Sequence, residues 1–203
     1  MKLYDSKFAP NPRRARIFLA EKGISVPTEN IDITAKQHKT PEYTAINPLQ
    51  RMPALVLDDG TVITESIAIC RYFEMLHPEP PLFGVGPRET AIVEMWNRRA
   101  EISFMANVAA VFRHTHPAMK EFEVPQVAAW ADANRPRVAW FLEMINGELA
   151  TREFIAGDHY TVADITMQVA VDFMKPARLT IPEGADNVKR WHATVSARPS
   201  ASA

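Results

Sequence analysis

Glu65 and Ser66 make the sharpest chemical demand in the chain. Behind them Ile67, Cys70, Phe73 and Met75 follow helical spacing to about His77, so Ser66 stands at a helix start. Unpaired amides and the positive end of the helix dipole there favour a carboxylate, and the serine hydroxyl adds a donor. The neighbouring Glu65 favours an ammonium. A group carrying both charges on one carbon, as an amino-acid terminus does, meets both demands at once. On these two residues alone the plainer reading also stands, with Ser66 as an N-cap and Glu65 as a first-turn acid. Upstream, Met52-Pro53 precedes a β-rich run, where a proline missing its N–H is tolerated at the mouth of a strand. With a cis bond, Met52 would offer its own N–H and C=O to an extended, peptide-like ligand; a trans strand start is the alternative.

Other reactive side chains carry weaker signals. Cys70 is the only cysteine, which excludes an internal disulfide and a Cys-x-x-Cys pair. It falls on the Ile67/Phe73 face, where a thiol packs as core. His114 and His116 are two apart at a helix end, do not share a face and have no further ligand signalled, so no metal site is expected. Thr161-Val162-Ala163-Asp164 sets a cap hydroxyl three residues before an acid that can reach back to the cap amide, with Tyr160 and Ile165 as staple. That reads as structure, not chemistry.

The 203 residues are 47% hydrophobic and 23% charged, with a formal net charge of -1, a balance that gives no general attraction to nucleic acid or an anionic membrane. A signal segment and an 18-residue apolar run are both missing, so a soluble protein of a reducing compartment is expected. Lys2-Leu3-Tyr4 is a strand candidate. Asn11-Pro12 offers a cap and a first-turn proline for a helix that Gly23 stops. A second strand is expected over 29–33, and 34–44 is polar and irregular. Runs 53–57 and 61–64 flank Asp59-Gly60, a hairpin signal. Proline and glycine crowd residues 77–87. The division is therefore an α/β domain over 1–77, a linker over 78–87, and an all-helical domain over 88–203. Helices are expected over 88–114, 126–149, 162–174 and 187–195, with Pro136 kinking or interrupting the second and the tail at 200–203 frayed.

Gln37-His38-Lys39, Asn47-Pro48-Leu49-Gln50-Arg51-Met52-Pro53-Ala54-Leu55 and Thr64-Glu65-Ser66-Ile67-Ala68-Ile69 resemble, in that order, the glutathione-binding half of cytosolic glutathione S-transferases. Ala156-Gly157-Asp158-His159-Tyr160-Thr161-Val162-Ala163-Asp164 is similar to the buried capping motif of that family's helical half. The likeness spans essentially the whole chain, with bacterial-type, theta- and nu-like features. It implies a thioredoxin-like first domain, with the Met52 backbone pairing the cysteinyl unit of glutathione beside cis-Pro53. Glu65 and Ser66 would hold the γ-glutamyl end, and His38 and Lys39 the glycine carboxylate. It further implies a cytoplasmic, detoxifying homodimer with glutathione as co-substrate and a hydrophobic electrophile as partner, without metal, nucleic acid or membrane.

Catalysis at such a site means stabilising a thiolate. The family draws the donor from the loop after the first strand, and here the loop reads Ser6-Lys7-Phe8-Ala9-Pro10-Asn11. Ala9-Pro10-Asn11 lacks the threonine hydroxyl of a Thr-Pro-Asn segment but keeps the asparagine. Ser6 is the loop's one hydroxyl, so Ser6 and Asn11 are the catalytic candidates, Asn11 sharing that duty with helix capping. The missing hydroxyl at Ala9 leaves open a non-catalytic or regulatory glutathione-binding protein, and the scaffold also accommodates isomerase or peroxidase chemistry.

Overall fold

The computed structural model describes all 203 residues, Met1–Ala203. Two compact units emerge, one formed by Met1–Leu82 together with Pro199–Ala203 and the other by Phe83–Arg198.

The first unit is built on a four-stranded sheet of β1 (Lys2–Asp5), β2 (Thr28–Asn30), β3 (Ala54–Val56) and β4 (Val62–Thr64), in the spatial order β2-β1-β3-β4. β1 runs parallel to β2 and antiparallel to β3, and β3 and β4 form the expected hairpin, turning through Gly60 at φ 84. Helices α1 (Pro10–Glu21), α2 (Pro41–Ile46) and α3 (Ser66–Leu76) cover it. Alternation along β1 sends Leu3 and Tyr4 to opposite faces. Leu3 is buried, as are Ile17 and Phe18 on the apolar face of α1, and Tyr4 meets Tyr43 of α2 edge-on at 6.0 Å.

α1 begins earlier than expected. Its N-cap is Ala9, without a side-chain cap, so Asn11 lies inside the first turn and is not the cap. Both Pro10 and Pro12 fit a first turn, where a missing N–H goes unneeded, and together they outweigh the preference of the residue before a proline for extended backbone. Gly23, at φ 65, ends the helix as expected. The second strand is shorter than the expected 29–33. The polar stretch 34–44 is ordered, with a 3₁₀ turn at Gln37–Lys39 followed by α2, whose cap is the Thr40 hydroxyl accepting from the Tyr43 N–H at 3.3 Å. Thr40-Pro41-Glu42 is a regular cap, first-turn proline and first-turn acid; the absence of a long apolar period hid it.

The tail is docked, contrary to the expectation of fraying. Pro199–Ser202 forms a 3₁₀ turn against α1, with Ser200 buried, its hydroxyl donating to Glu21 Oε1. Arg13 Nη2 also donates to the Ala201 carbonyl at 3.0 Å. Side chains at two points of α1 thus tie down backbone that sequence composition leaves unanchored.

The second unit is all helical: α4 (Gly86–Arg98) runs through a π-turn at Arg99–Met105 into α5 (Ala106–Thr115), followed by α6 (Ala128–Glu148), α7 (Val162–Phe173) and α8 (Asp186–Ser196). α6 passes through Pro136 without a break. Pro136 and Asp132 are both exposed, so the carbonyl that loses its donor is left to water. Every residue of α7 from Val162 to Val171 is buried, which makes it the central helix of the unit. Its N-terminus carries the expected capping box. The Asp164 carboxylate accepts from the amides of Ile155 (2.8 Å) and Thr161 (2.9 Å), the Thr161 hydroxyl (3.1 Å) and the Trp191 indole (2.9 Å). Burial pushes this carboxyl up to about 6, opposed by those donors.

Candidate functional site

Sheet register gathers the candidate residues of the first unit at one end. Tyr4 pairs with Ala54, Ala54 with Thr64, and Asp5 with Asn30. The end of β1 leading to Ser6, the start of β3 preceded by Met52-Pro53, the end of β4 leading to Glu65-Ser66 and the end of β2 leading toward His38 therefore lie together. This is the edge beyond the carboxyl ends of the parallel pair, where α/β sheets place ligands.

The Met52–Pro53 bond is cis. The Met52 side chain is buried in a small cluster with Ile31 and Tyr43, packed by Tyr4, Ile33 and Ile46. Its backbone N–H and C=O have no hydrogen-bond partner within the chain. The residue is thus anchored by its side chain and open along its backbone, which is what pairing with an extended ligand requires. Two residues unforeseen from sequence hold the approach to it. The Tyr43 hydroxyl (2.7 Å) and Asn47 Nδ2 (2.8 Å) both donate to the Arg51 carbonyl, while Asn47 Oδ1 accepts from the Leu49 amide at 3.1 Å. Asn-Pro as a turn signal could have pointed to Asn47, whereas Tyr43 had no sequence mark of its own. Burial pushes the Tyr43 phenol up to about 12, so it stays a donor at any working pH.

At the start of α3 the simple capping reading fails. The N-cap is Glu65, which makes no side-chain cap bond, and Ser66 is the first helical residue. The Ser66 hydroxyl is buried and has no hydrogen-bond partner, a state that costs about 1–3 kcal/mol. Glu65, exposed beside it, is held at φ 66, a backbone region that costs a non-glycine residue about 1–3 kcal/mol and is retained mostly at ligand clamps and active sites. An uncapped helix end, an unsatisfied buried hydroxyl and a strained acid adjoin one another.

His38 is buried within the 3₁₀ turn, and Lys39 and Arg51 are exposed. Burial first, and then the charges of Lys39 and Arg51, hold the His38 imidazole below its ordinary value. It is therefore neutral at pH 7, a hydrogen-bonding group flanked by two cations.

Ser6 and Asn11 part company. Ser6 is buried at the end of β1, its amide donating to Asp5 Oδ1 at 2.7 Å. Asn11 is exposed on α1, and its Oδ1 accepts from Arg14 Nη2 at 3.0 Å. Cys70 is buried and its thiol pushed up to about 12, unsuited to act as a nucleophile. His114 and His116 pin loops, their Nδ1 atoms accepting from the amides of Val127 (3.1 Å) and Ala118 (3.2 Å).

Known proteins resemble this chain in both sequence and fold. Residues 1–74 match the family model of the glutathione S-transferase N-terminal domain, and residues 104–199 that of the C-terminal domain. Glutathione S-transferase 2 of Saccharomyces cerevisiae is 34% identical over 98% of this chain and 87% of its own. Glutathione S-transferase F13 of Arabidopsis thaliana is 29% identical over 98% and 92%. Among solved structures, a glutathione S-transferase domain-containing protein of Marinobacter aquaeolei superposes with a TM-score of 0.94 at 39% identity, covering 98% of this chain and 99% of the other. Gtt2 of Saccharomyces cerevisiae does so at 0.93 and 34%, covering 98% of each. With both family domains present in order and full-length relatives above 30% identity, the chain belongs to the glutathione S-transferases.

Proposed function

We propose that the protein binds glutathione along the open edge at Met52 and ionises its thiol for attack on a hydrophobic electrophile. The observation that carries this is the buried, unpartnered Ser66 hydroxyl on an uncapped helix end. A γ-glutamyl carboxylate would take the Ser66 hydroxyl and the free amides of α3, and Glu65 its ammonium. The cysteinyl unit would pair with Met52, and the glycine carboxylate would meet His38 and Lys39. Because His38 is neutral at pH 7, the charge at that end comes from Lys39 and Arg51. Acidification that protonates His38 should tighten binding, and Lys39→Ala should weaken it.

The thiol donor in this reading is Ser6. Asn11 is a weaker contender, because its carboxamide oxygen is taken by Arg14 and only Nδ2 is left to donate. Phe8, 92% exposed in the same loop, offers an apolar face to a hydrophobic co-substrate. The resemblance to the family supports a cytoplasmic homodimer with a detoxifying role. No helix is long and apolar enough to cross a membrane.

Calorimetry with glutathione tests the binding half: heat with wild type, and much less with Ser66→Ala, is expected. Ultraviolet absorbance of bound thiolate across pH tests ionisation. Ser6→Ala and Asn11→Ala, assayed with a panel of aromatic and alkyl halides, assign the donor and rank electrophiles. Binding without ionisation would support the regulatory reading instead.

A further inference from the structure

The loop that carries Ser6 is fixed by a device outside the glutathione contacts. Arg16, more than a turn inside α1, reaches back so that Nη1 donates to Asp5 Oδ1 at 2.7 Å and Nη2 to the Lys7 carbonyl at 3.0 Å. The same Asp5 oxygen accepts the Ser6 amide at 2.7 Å. The Lys7 amide donates to Asn30 Oδ1 at 3.2 Å, and the Ala9 amide to the Ser6 carbonyl at 3.0 Å. All four backbone groups of Ser6 and Lys7 are therefore engaged, and the guanidinium brackets Ser6 from both sides. The pair is sheltered, with side chains 20% (Arg16) and 9% (Asp5) exposed, so its geometry is less diluted by solvent than a surface ion pair. A planar fork suits two acceptors set apart in this way; a lysine ammonium reaches them as a single point.

We propose that Arg16, acting through Asp5 and the Lys7 carbonyl, is the positioning residue that holds Ser6 where its hydroxyl stabilises the glutathione thiolate. This rests on the reading of Ser6 as thiol donor. A bare structural ion pair would alter stability and leave thiol ionisation untouched. The positioning role ties Arg16 to ionisation, because a displaced hydroxyl donates poorly.

The test is a cycle of Ser6→Ala, Arg16→Gln and the double variant, each loaded with glutathione and followed by thiolate absorbance against pH, together with kcat and KM. Arg16→Gln should raise the bound thiol's pKa by about one unit and lower kcat at pH 7 roughly tenfold, at the low end for groups supporting a reactive centre. KM for glutathione should hold. Arg16→Lys should recover part of the loss, and in the Ser6→Ala background Arg16→Gln should add nothing. Where Arg16→Gln fails to fold, Asp5→Asn takes its place with the same expectations. If Ser6→Ala shifts ionisation and Arg16→Gln does not, or if the two effects simply multiply, positioning by Arg16 is overturned while the role of Ser6 stands. If Ser6→Ala changes neither ionisation nor kcat although glutathione binds, the donor assignment itself falls and takes the positioning role with it.

Discussion

Two helix N-termini in this molecule face opposite ways chemically. At α7 the chain supplies everything a helix end needs: Thr161 and Asp164 cap each other, and the Asp164 carboxylate gathers four donors from three segments. At α3 it supplies nothing, leaving the cap position to a strained Glu65 and the Ser66 hydroxyl buried without a partner. Both ends have the same intrinsic deficit of unpaired amides. The difference is whether the protein itself closes the account, and it sets the structural acid of α7 apart from the candidate binding end of α3 more clearly than residue type does.

The contrast can be broken most severely at α7. Asp164→Ala leaves four buried donors without an acceptor and should cost on the order of 3 kcal/mol or more in urea denaturation. The same carboxyl has a pH signature. Its folded value of about 6 lies above the unfolded value of about 3.9. The folded state therefore binds the proton more tightly, and this contribution to stability is full below about pH 4 and fades as pH rises through about 6. Urea midpoints measured against an Asp164→Asn control should show wild type losing relative stability across that window; a flat difference would contradict it.

Ser66→Ala should do the reverse of Asp164→Ala. With no internal partner to lose, folding stability should be unchanged or slightly higher, whereas glutathione affinity measured by calorimetry should fall by about 1.5–3 kcal/mol, the range for hydrogen bonds to a charged group. A variant that loses stability and keeps affinity would show the hydroxyl to be structural after all. Thr161→Ala, at the satisfied end, should cost about 1 kcal/mol in the urea midpoint, as lost caps do. The smallest change belongs to Glu65→Gln. An exposed ion pair contributes about 0–1 kcal/mol, so affinity for glutathione should drop only a few-fold, with a steeper salt dependence in wild type than in the variant.

Much of this layout was legible in the chain. The Asp59-Gly60 hairpin, the Gly23 stop and the Thr161–Asp164 cap were readable because each depends on local backbone chemistry within a few residues. α2 escaped because its six residues are too few to show a period. The start of α1 was misplaced because two prolines competed for the first turn, and the docked tail because its partners, Glu21 and Arg13, lie at the other end of the sequence. Tyr43 and Asn47 escaped as site residues for a related reason. Their task is to hold the Arg51 carbonyl, a main-chain atom that no side-chain pattern announces.

The sequence alone determined the residue types able to receive an amino-acid terminus, the α/β and helical halves, and the local signals that cap α7 and turn the hairpin. Only the tertiary structure decided which polar groups go unsatisfied. Whether the Ser66 hydroxyl caps its helix or stays unpartnered, whether Asn11 is a cap or a surface carboxamide, and whether Arg16 is a surface cation or a brace on the Ser6 loop depend on where sheet register and helix packing bring distant atoms. Hydrogen bonds are settled over about 3 Å in space, a scale to which separation along the chain is blind.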